Sequence, residues 1–232
     1  MTVLPGCAFV HAPTFKFRGT RDYVHSTDMY TELLAAADAA GFSPVEGIVE
    51  LAVRRWIRTQ PEFHFGAQPQ DNGARPATFR LGTQAGVVSG AIVASDRPVI
   101  GRKAYDESPI WRNARIEGNR AEISGDTGLR PIEVVTALCT FHHRQMYPPP
   151  LGRRWLLARL SLLRPLQSQE AGAISISLDR MVGNLMTRST IRAATERLGE
   201  LDYVLGSAAA LPANGESSAK AESIGDIHNS NG

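Results

Sequence analysis

The stretch from Pro131 to Met146 limits the fold more than any other. Ile132, Val134, Val135, Ala137, Leu138, Cys139 and Phe141 leave it apolar almost all round, so a helix here must be covered on every side. Pro131 suits the first helical position, where no amide partner is needed, and Pro148-Pro149-Pro150 cannot continue a helix. Glu133 interrupts the apolar run. A carboxylate at such a place needs a partner or a cavity, so it reads either as first-turn capping or as part of a site.

A second helix is expected from Met29 to Ala40. Met29, Leu33, Ala36, Ala37 and Ala40 fall at helical spacing, Leu34 widens the stripe, and Gly41 followed by Pro44 supplies the stop. The residues leading into it, Arg21-Asp22-Tyr23-Val24-His25-Ser26-Thr27-Asp28, place acid, base, hydroxyl and guanidinium groups at its mouth. Ser26 or Thr27 is the expected N-cap, and the helix dipole favours Asp22 and Asp28 near that end.

Most of the remaining chain reads as strand. Short apolar pieces at Cys7–Val10 and Thr14–Phe17 precede the first helix. After it come Val45–Ile57, Glu62–Phe65, Ala77–Leu81, Gly86–Ser95 and Val99–Tyr105, with a polar loop at 66–76. A hairpin turning at Glu117-Gly118-Asn119 precedes the second helix. Leu156–Leu162, Ile174–Leu178, Asn184–Ala193 and Leu198–Leu205 follow it, and Ile174, Ile176 and Leu178 alternate cleanly with polar residues. From Ser207 onward Ala, Ser, Gly, Asn and Glu dominate, which predicts a disordered tail.

The plan occurs twice. Aligning Thr31 with Thr136 places Leu33 on Leu138, Asp28 on Glu133 and His25 on Arg130. Arg54-Arg55-Trp56-Ile57 echoes Arg153-Arg154-Trp155-Leu156 at a different offset, so a repeat needs unequal loops. The expected organisation is α+β: a first module over 1–112, a second over 113–206 and a tail over 207–232. Each module is a buried helix wrapped by an antiparallel sheet.

That plan resembles the hotdog fold, in a double-hotdog arrangement. Arg130-Pro131-Ile132-Glu133 running into Val134-Val135-Thr136-Ala137-Leu138 is similar to the helix start of acyl-thioester dehydratases and of the A-factor biosynthesis family. The chain lacks the His-Phe-Pro approach of the dehydratases and the Asp-x-Asn-Pro-x-His motif of the enoyl hydratases.

The resemblance implies an acyl thioester, on CoA or an acyl carrier protein, entering between the modules. The thioester carbonyl would meet the N-terminal amides of the buried helix. His25 would be the base, Asp28 or Glu133 the carboxylate that orients it or acts beside it, and Arg21, Tyr23 and Arg130 the substrate contacts. Acyl transfer, hydrolysis and dehydration all stay open. So does a non-catalytic module that binds a ligand or a partner subunit, in which His25 serves only to cap its helix.

Other classes find little support. A formal net charge of +2 is too small to argue for nucleic acid. No apolar run reaches the ~18 residues of a membrane span. His142-His143 point about 100° apart on a helix, so no metal site is expected, and no cofactor is implied. Two cysteines, Cys7 and Cys139, form no disulfide framework, Cys139 reads as inert packing, and a reducing cytoplasm is the expected compartment. Association into a homo-oligomer stays open. Lysine occurs only at Lys16, Lys103 and Lys220, so arginine carries the basic charge, either to grip carboxylate or phosphate in a fork or because the genome is GC-rich.

Overall fold

The computed structural model describes residues 9–42, 44–66 and 76–207. Cys7, most of the polar loop and the tail from residue 208 lie outside them. In chain order the elements are β1 (Phe9–His11), β2 (Phe17–Arg18), α1 (Ser26–Ala39), β3 (Val45–Val53), β4 (Thr59–Phe65), β5 (Ala77–Thr83), β6 (Gly86–Pro98), β7 (Arg102–Lys103) and α2 (Ser108–Asn113). There follow β8 (Ala114–Glu117), β9 (Arg120–Ile123), α3 (Pro131–Met146), β10 (Arg153–Leu162), a 3-10 turn (Ser168–Ala173), β11 (Ile174–Val182), β12 (Met186–Ala193) and β13 (Glu196–Ser207).

Among the described residues eleven strands form one sheet, in the order β1-β4-β6-β5-β3-β10-β13-β12-β11-β9-β8. Every pairing in it is antiparallel. The architecture is α+β as expected. α1 packs on the first half and α3 on the second, and the two helices touch. Leu33, Ala36 and Ala37 of α1 and Val134, Val135, Leu138 and Cys139 of α3 are fully buried. None of the described helices is long and apolar enough to cross a membrane.

The two halves share a layout but differ in wiring. In the second, β11, β12 and β13 form a meander that ends beside β10. In the first, β4 lies next to the edge strand β1 and the chain crosses to β5 beside β3, so β6 is inserted between β5 and β4. The expected long meander therefore holds only for the second half. The stretch between Phe65 and Ala77 is too long for a hairpin, and β4 and β5 run the same way. Val99–Tyr105 is also shorter as a strand than expected: only Arg102–Lys103 pairs, in parallel with Phe17–Arg18.

The helix alignment from the sequence matches the caps. His25 is the N-cap of α1 and Arg130 that of α3, while Asp28 and Glu133 both hold the third helical position. The expected cap at Ser26 or Thr27 is corrected by one or two residues. The His25 ring accepts the Thr27 N–H, so an imidazole does the work of the hydroxyl. The Arg-Arg-Trp echo has a different meaning. β3 and β10 are antiparallel at the centre of the sheet, so the end of one lies beside the start of the other, and Arg154 stacks 4.2 Å over the Trp56 ring. The two motifs are neighbours rather than counterparts.

Candidate functional site

The β3–β10 seam is short. Registered pairing runs from Val49↔Leu162 to Ala52↔Arg159 and stops there. β10 carries a register irregularity against β13 between Leu157 and Arg159. Beyond that point the chain ends part, and a cavity of about 250 Å³ lies between them. Val53, Arg55, Trp56 and Ile57 line it from one side, and Arg154, Trp155, Leu156 and Leu157 from the other. The start of α1 contributes Val24, His25, Ser26 and Met29, the middle of α3 contributes Thr136, Ala137 and Thr140, and its last turn contributes Arg144.

The approach to α1 is held in place by both backbone and rings. Val24 N–H donates to the Ile57 carbonyl at 2.8 Å. Tyr23 stacks on Trp56 at 4.8 Å and on His25 at 6.4 Å, and His25 lies 5.7 Å from Tyr105. Arg154 lies 4.2 Å from the Trp56 ring and 5.1 Å from the Tyr23 ring, while Arg18 and Arg21 lie 4.6 and 5.1 Å from the Tyr105 ring.

His25 is neutral at ordinary pH. Burial, with help from the charges of Arg21 and Arg18, pulls it down to about 3. Its Nδ1 accepts the Thr27 N–H at 3.4 Å and lies 2.7 Å from the Thr27 hydroxyl. That use of Nδ1 leaves the ring proton on Nε2, which has no protein partner among the described residues. A neutral imidazole in this state is a hydrogen-bond donor to whatever faces it.

Asp28, Glu133 and Arg130 do something else. Arg18, 1% exposed, grips Asp28 through Nε at 2.7 Å and through Nη2, and its Nη1 lies 2.5 Å from Glu133 Oε1. That last contact is an ion pair without hydrogen-bond geometry. Arg130 reaches back from α3 to Asp28 at 3.1 Å and to the Thr31 hydroxyl at 2.8 Å, while binding its own Glu133 at 2.8 Å. Lys103 adds a contact to Asp28 at 2.9 Å. Glu133 also accepts the Arg130 backbone N–H at 2.9 Å. Burial acts to raise both carboxylates. The hydrogen bonds from Arg18 and Lys103 outweigh it at Asp28, those from Arg130 together with the Arg18 charge outweigh it at Glu133, and each is held at about 2.

Of the residues singled out in the sequence, then, Arg21, Tyr23 and His25 line the cavity, whereas Asp28, Glu133 and Arg130 tie the starts of α1 and α3 together beside it. The α3 N-terminus, expected to face a thioester carbonyl, is closed by this ion cluster, and α3 shows the cavity its middle turns. Sequence reasoning missed Trp56, Glu107, Arg55, Arg144 and Arg154. The paired Arg-Arg-Trp motifs were the available signal. Glu107 is the carboxylate in the cavity wall and accepts from Arg21 at 2.7 Å.

His142 and His143 have structural contacts. His142 Nε2 lies 3.0 Å from the Gly118 carbonyl, and His143 spans the Cys139 carbonyl and the Thr187 hydroxyl, 2.6 Å from each. No group of three or more metal-ligand side chains occurs among the described residues.

No protein-family model matches the chain, and no curated protein does. Solved structures do. The dehydratase domain of PpsC from Mycobacterium tuberculosis, in complex with C12:1-CoA, is 10% identical with a TM-score of 0.42, over 79% of this chain and 85% of that one. The pyran synthase domain from module nine of the sorangicin pathway is 12% identical at a TM-score of 0.45, over 88% and 94%. A tesB protein from Mycobacterium avium subs paratuberculosis is 13% identical at 0.40, over 88% and 93%. Likeness of this kind assigns neither substrate nor residue roles.

Proposed function

We propose that the protein binds an acyl thioester, carried on CoA or an acyl carrier protein, in the cavity at the β3–β10 seam, and transfers or hydrolyses the acyl group there. The observation that carries this reading is the cavity itself. Both halves build it, Val53, Ile57, Met29, Leu156 and Leu157 give it apolar wall, and the His25 ring stands on it with a free Nε2.

In this reading His25 is a donor and not a base. Its Nε2–H donates to the thioester carbonyl, and the bond strengthens as negative charge builds on that oxygen. Water or an acceptor hydroxyl attacks the carbonyl carbon, the C–S bond breaks, and the thiol leaves. Glu107, held by Arg21, takes the attacking proton and returns it to the sulfur. Tyr23 and Trp56 flank the entering chain. Asp28, Glu133 and Arg130 are positioning residues that fix the two helix starts.

Turnover of acyl-CoA of several chain lengths, followed by thiol release, tests the proposal. His25→Ala should lower kcat by about a hundredfold, within the range seen when a single oxyanion donor is removed, with the fold unchanged by circular dichroism. A second reading, binding without catalysis, is favoured by the engagement of Asp28 and Glu133 with arginine and lysine. It predicts saturable binding of acyl-CoA, unaltered rates in His25→Ala, and no thiol release above background.

A further inference from the structure

Many arginines in this chain pair with carboxylates, and among the described residues others without an ion pair, Arg97, Arg153, Arg180 and Arg192, stand exposed on the sheet. Arg80 and Arg159 share Glu50, Arg164 takes Glu170 and Glu196, and Arg188 takes Asp202. Arg55, Arg144 and Arg154 do not. No ion pair reaches any of them among the described residues, and the Nε of Arg154 is buried with no hydrogen-bond partner. All three line this cavity, from just past the end of β3, the last turn of α3 and the start of β10. Glu107, the carboxylate in that wall, already faces Arg21. A neutral His25 adds no charge, so the cavity has a surplus of guanidinium.

Keeping several unneutralised cations around one cavity is unfavourable unless something anionic arrives. The guanidinium fork suits oxygen anions in particular. Contacts with the Trp56 and Tyr23 rings, at 4.2 and 5.1 Å, hold the Arg154 guanidinium at the cavity wall. We propose that Arg55, Arg144 and Arg154 together form a receptor for one anionic group, a phosphoryl or a carboxylate, on the molecule that occupies the cavity. This deepens the acyl-thioester reading and rests on it for the identity of the rest of the ligand.

Calorimetric titration of the full chain with four probes separates the possibilities. S-acetyl-pantetheine carries no anion, S-succinyl-pantetheine carries one on the acyl group, acetyl-CoA carries phosphates on the carrier, and inorganic pyrophosphate carries no thioester. Arg55→Gln and Arg144→Gln alter exposed side chains, and Arg154→Lys keeps charge while losing the fork. Each variant should weaken the anionic probes by about tenfold or more, the usual size for a charged hydrogen bond, and leave S-acetyl-pantetheine unchanged. Loss confined to acetyl-CoA and pyrophosphate identifies a phosphoryl on the carrier, and loss confined to S-succinyl-pantetheine identifies a carboxylate on the acyl chain. If pyrophosphate binds and responds to the variants but no thioester binds, the anion receptor stands and the thioester reading fails. If the anionic probes bind the variants as they bind the wild type, or bind neither, the receptor is overturned.

Discussion

Arg18→Met tests the ion cluster at the helix starts. Arg18 and Asp28 are almost fully buried and Glu133 nearly so. Removing Arg18 leaves two buried carboxylates with a cation fewer, and breaking a buried pair from one side costs about 3–5 kcal/mol. The depressed carboxylates point the same way. Asp28 is held at about 2 against an ordinary value of 3.8, which amounts to about 2 kcal/mol, and Glu133 at about 2 against 4.5, about 3 kcal/mol.

Both folded values are depressed. The stabilisation is therefore fully present above pH ~4.5 and is lost as pH falls through the folded values near 2. Urea unfolding followed by tryptophan fluorescence at pH 7 and at steps down to pH 2.5 reads both effects. Arg18→Met should lose about 3–5 kcal/mol at pH 7, a large share of a typical domain's stability, and its stability should fall less steeply below pH 4.5 than that of the wild type. If the single variant is too unstable to measure, Arg18→Met with Asp28→Asn and Glu133→Gln removes the stranded charges and should recover part of the loss. A loss under about 1 kcal/mol at pH 7, with an unchanged acid limb, would show that the cluster is energetically idle and that the account given of it is wrong.

Other outcomes follow from single sites. Gly90→Ala would set a Cβ 2.2 Å from both the His64 carbonyl oxygen and the Phe79 ring, so it should destabilise by about 2 kcal/mol or more in chemical denaturation, and a neutral effect would contradict the strand packing. Burial pulls His143 down to about 4, so its contribution is complete above pH ~6.5 and is lost as pH falls toward 4; His143→Gln should flatten stability against pH over that interval, and an unaltered slope would count against a buried neutral ring. The same logic makes turnover independent of His25 titration near pH ~6.5: a rate limb there that vanishes in His25→Gln would return His25 to the role of base. Burial pushes the Cys139 thiol up, so in a Cys7→Ser background it should react with a thiol reagent only when denaturant opens the chain.

The helices could be read from the sequence because their ends are chemically marked. Pro131 and the proline run from Pro148 fix one, and Gly41 closes the other. The alignment that set His25 on Arg130 and Asp28 on Glu133 holds because those positions are the same helical positions twice. What it could not show is that the counterparts attract one another, so that Asp28 and Glu133 share Arg18 and Arg130 and are withdrawn from the cavity. The Arg-Arg-Trp pair was visible but misread. A repeat search compares segments in parallel, whereas these two segments meet across an antiparallel seam. α2 escaped notice because six residues offer too little periodicity. The crossing between β4 and β5 left only a long polar stretch as its trace.

The seam also bears on the order of folding. β11, β12 and β13 are joined by tight turns, so the second half is stitched by contacts close in sequence. The seam instead brings together residues 49–52 and 159–162, which are 107 to 113 positions apart, about half the length of the chain. Pairings that span such distances close last, because the loop they shut must lose its freedom before the contact repays it. The cavity has no counterpart in either half alone, since its facing walls belong to the two strand ends that the seam brings side by side. Ligand binding after a jump out of urea should therefore recover later than the protection of α3 amides from hydrogen exchange.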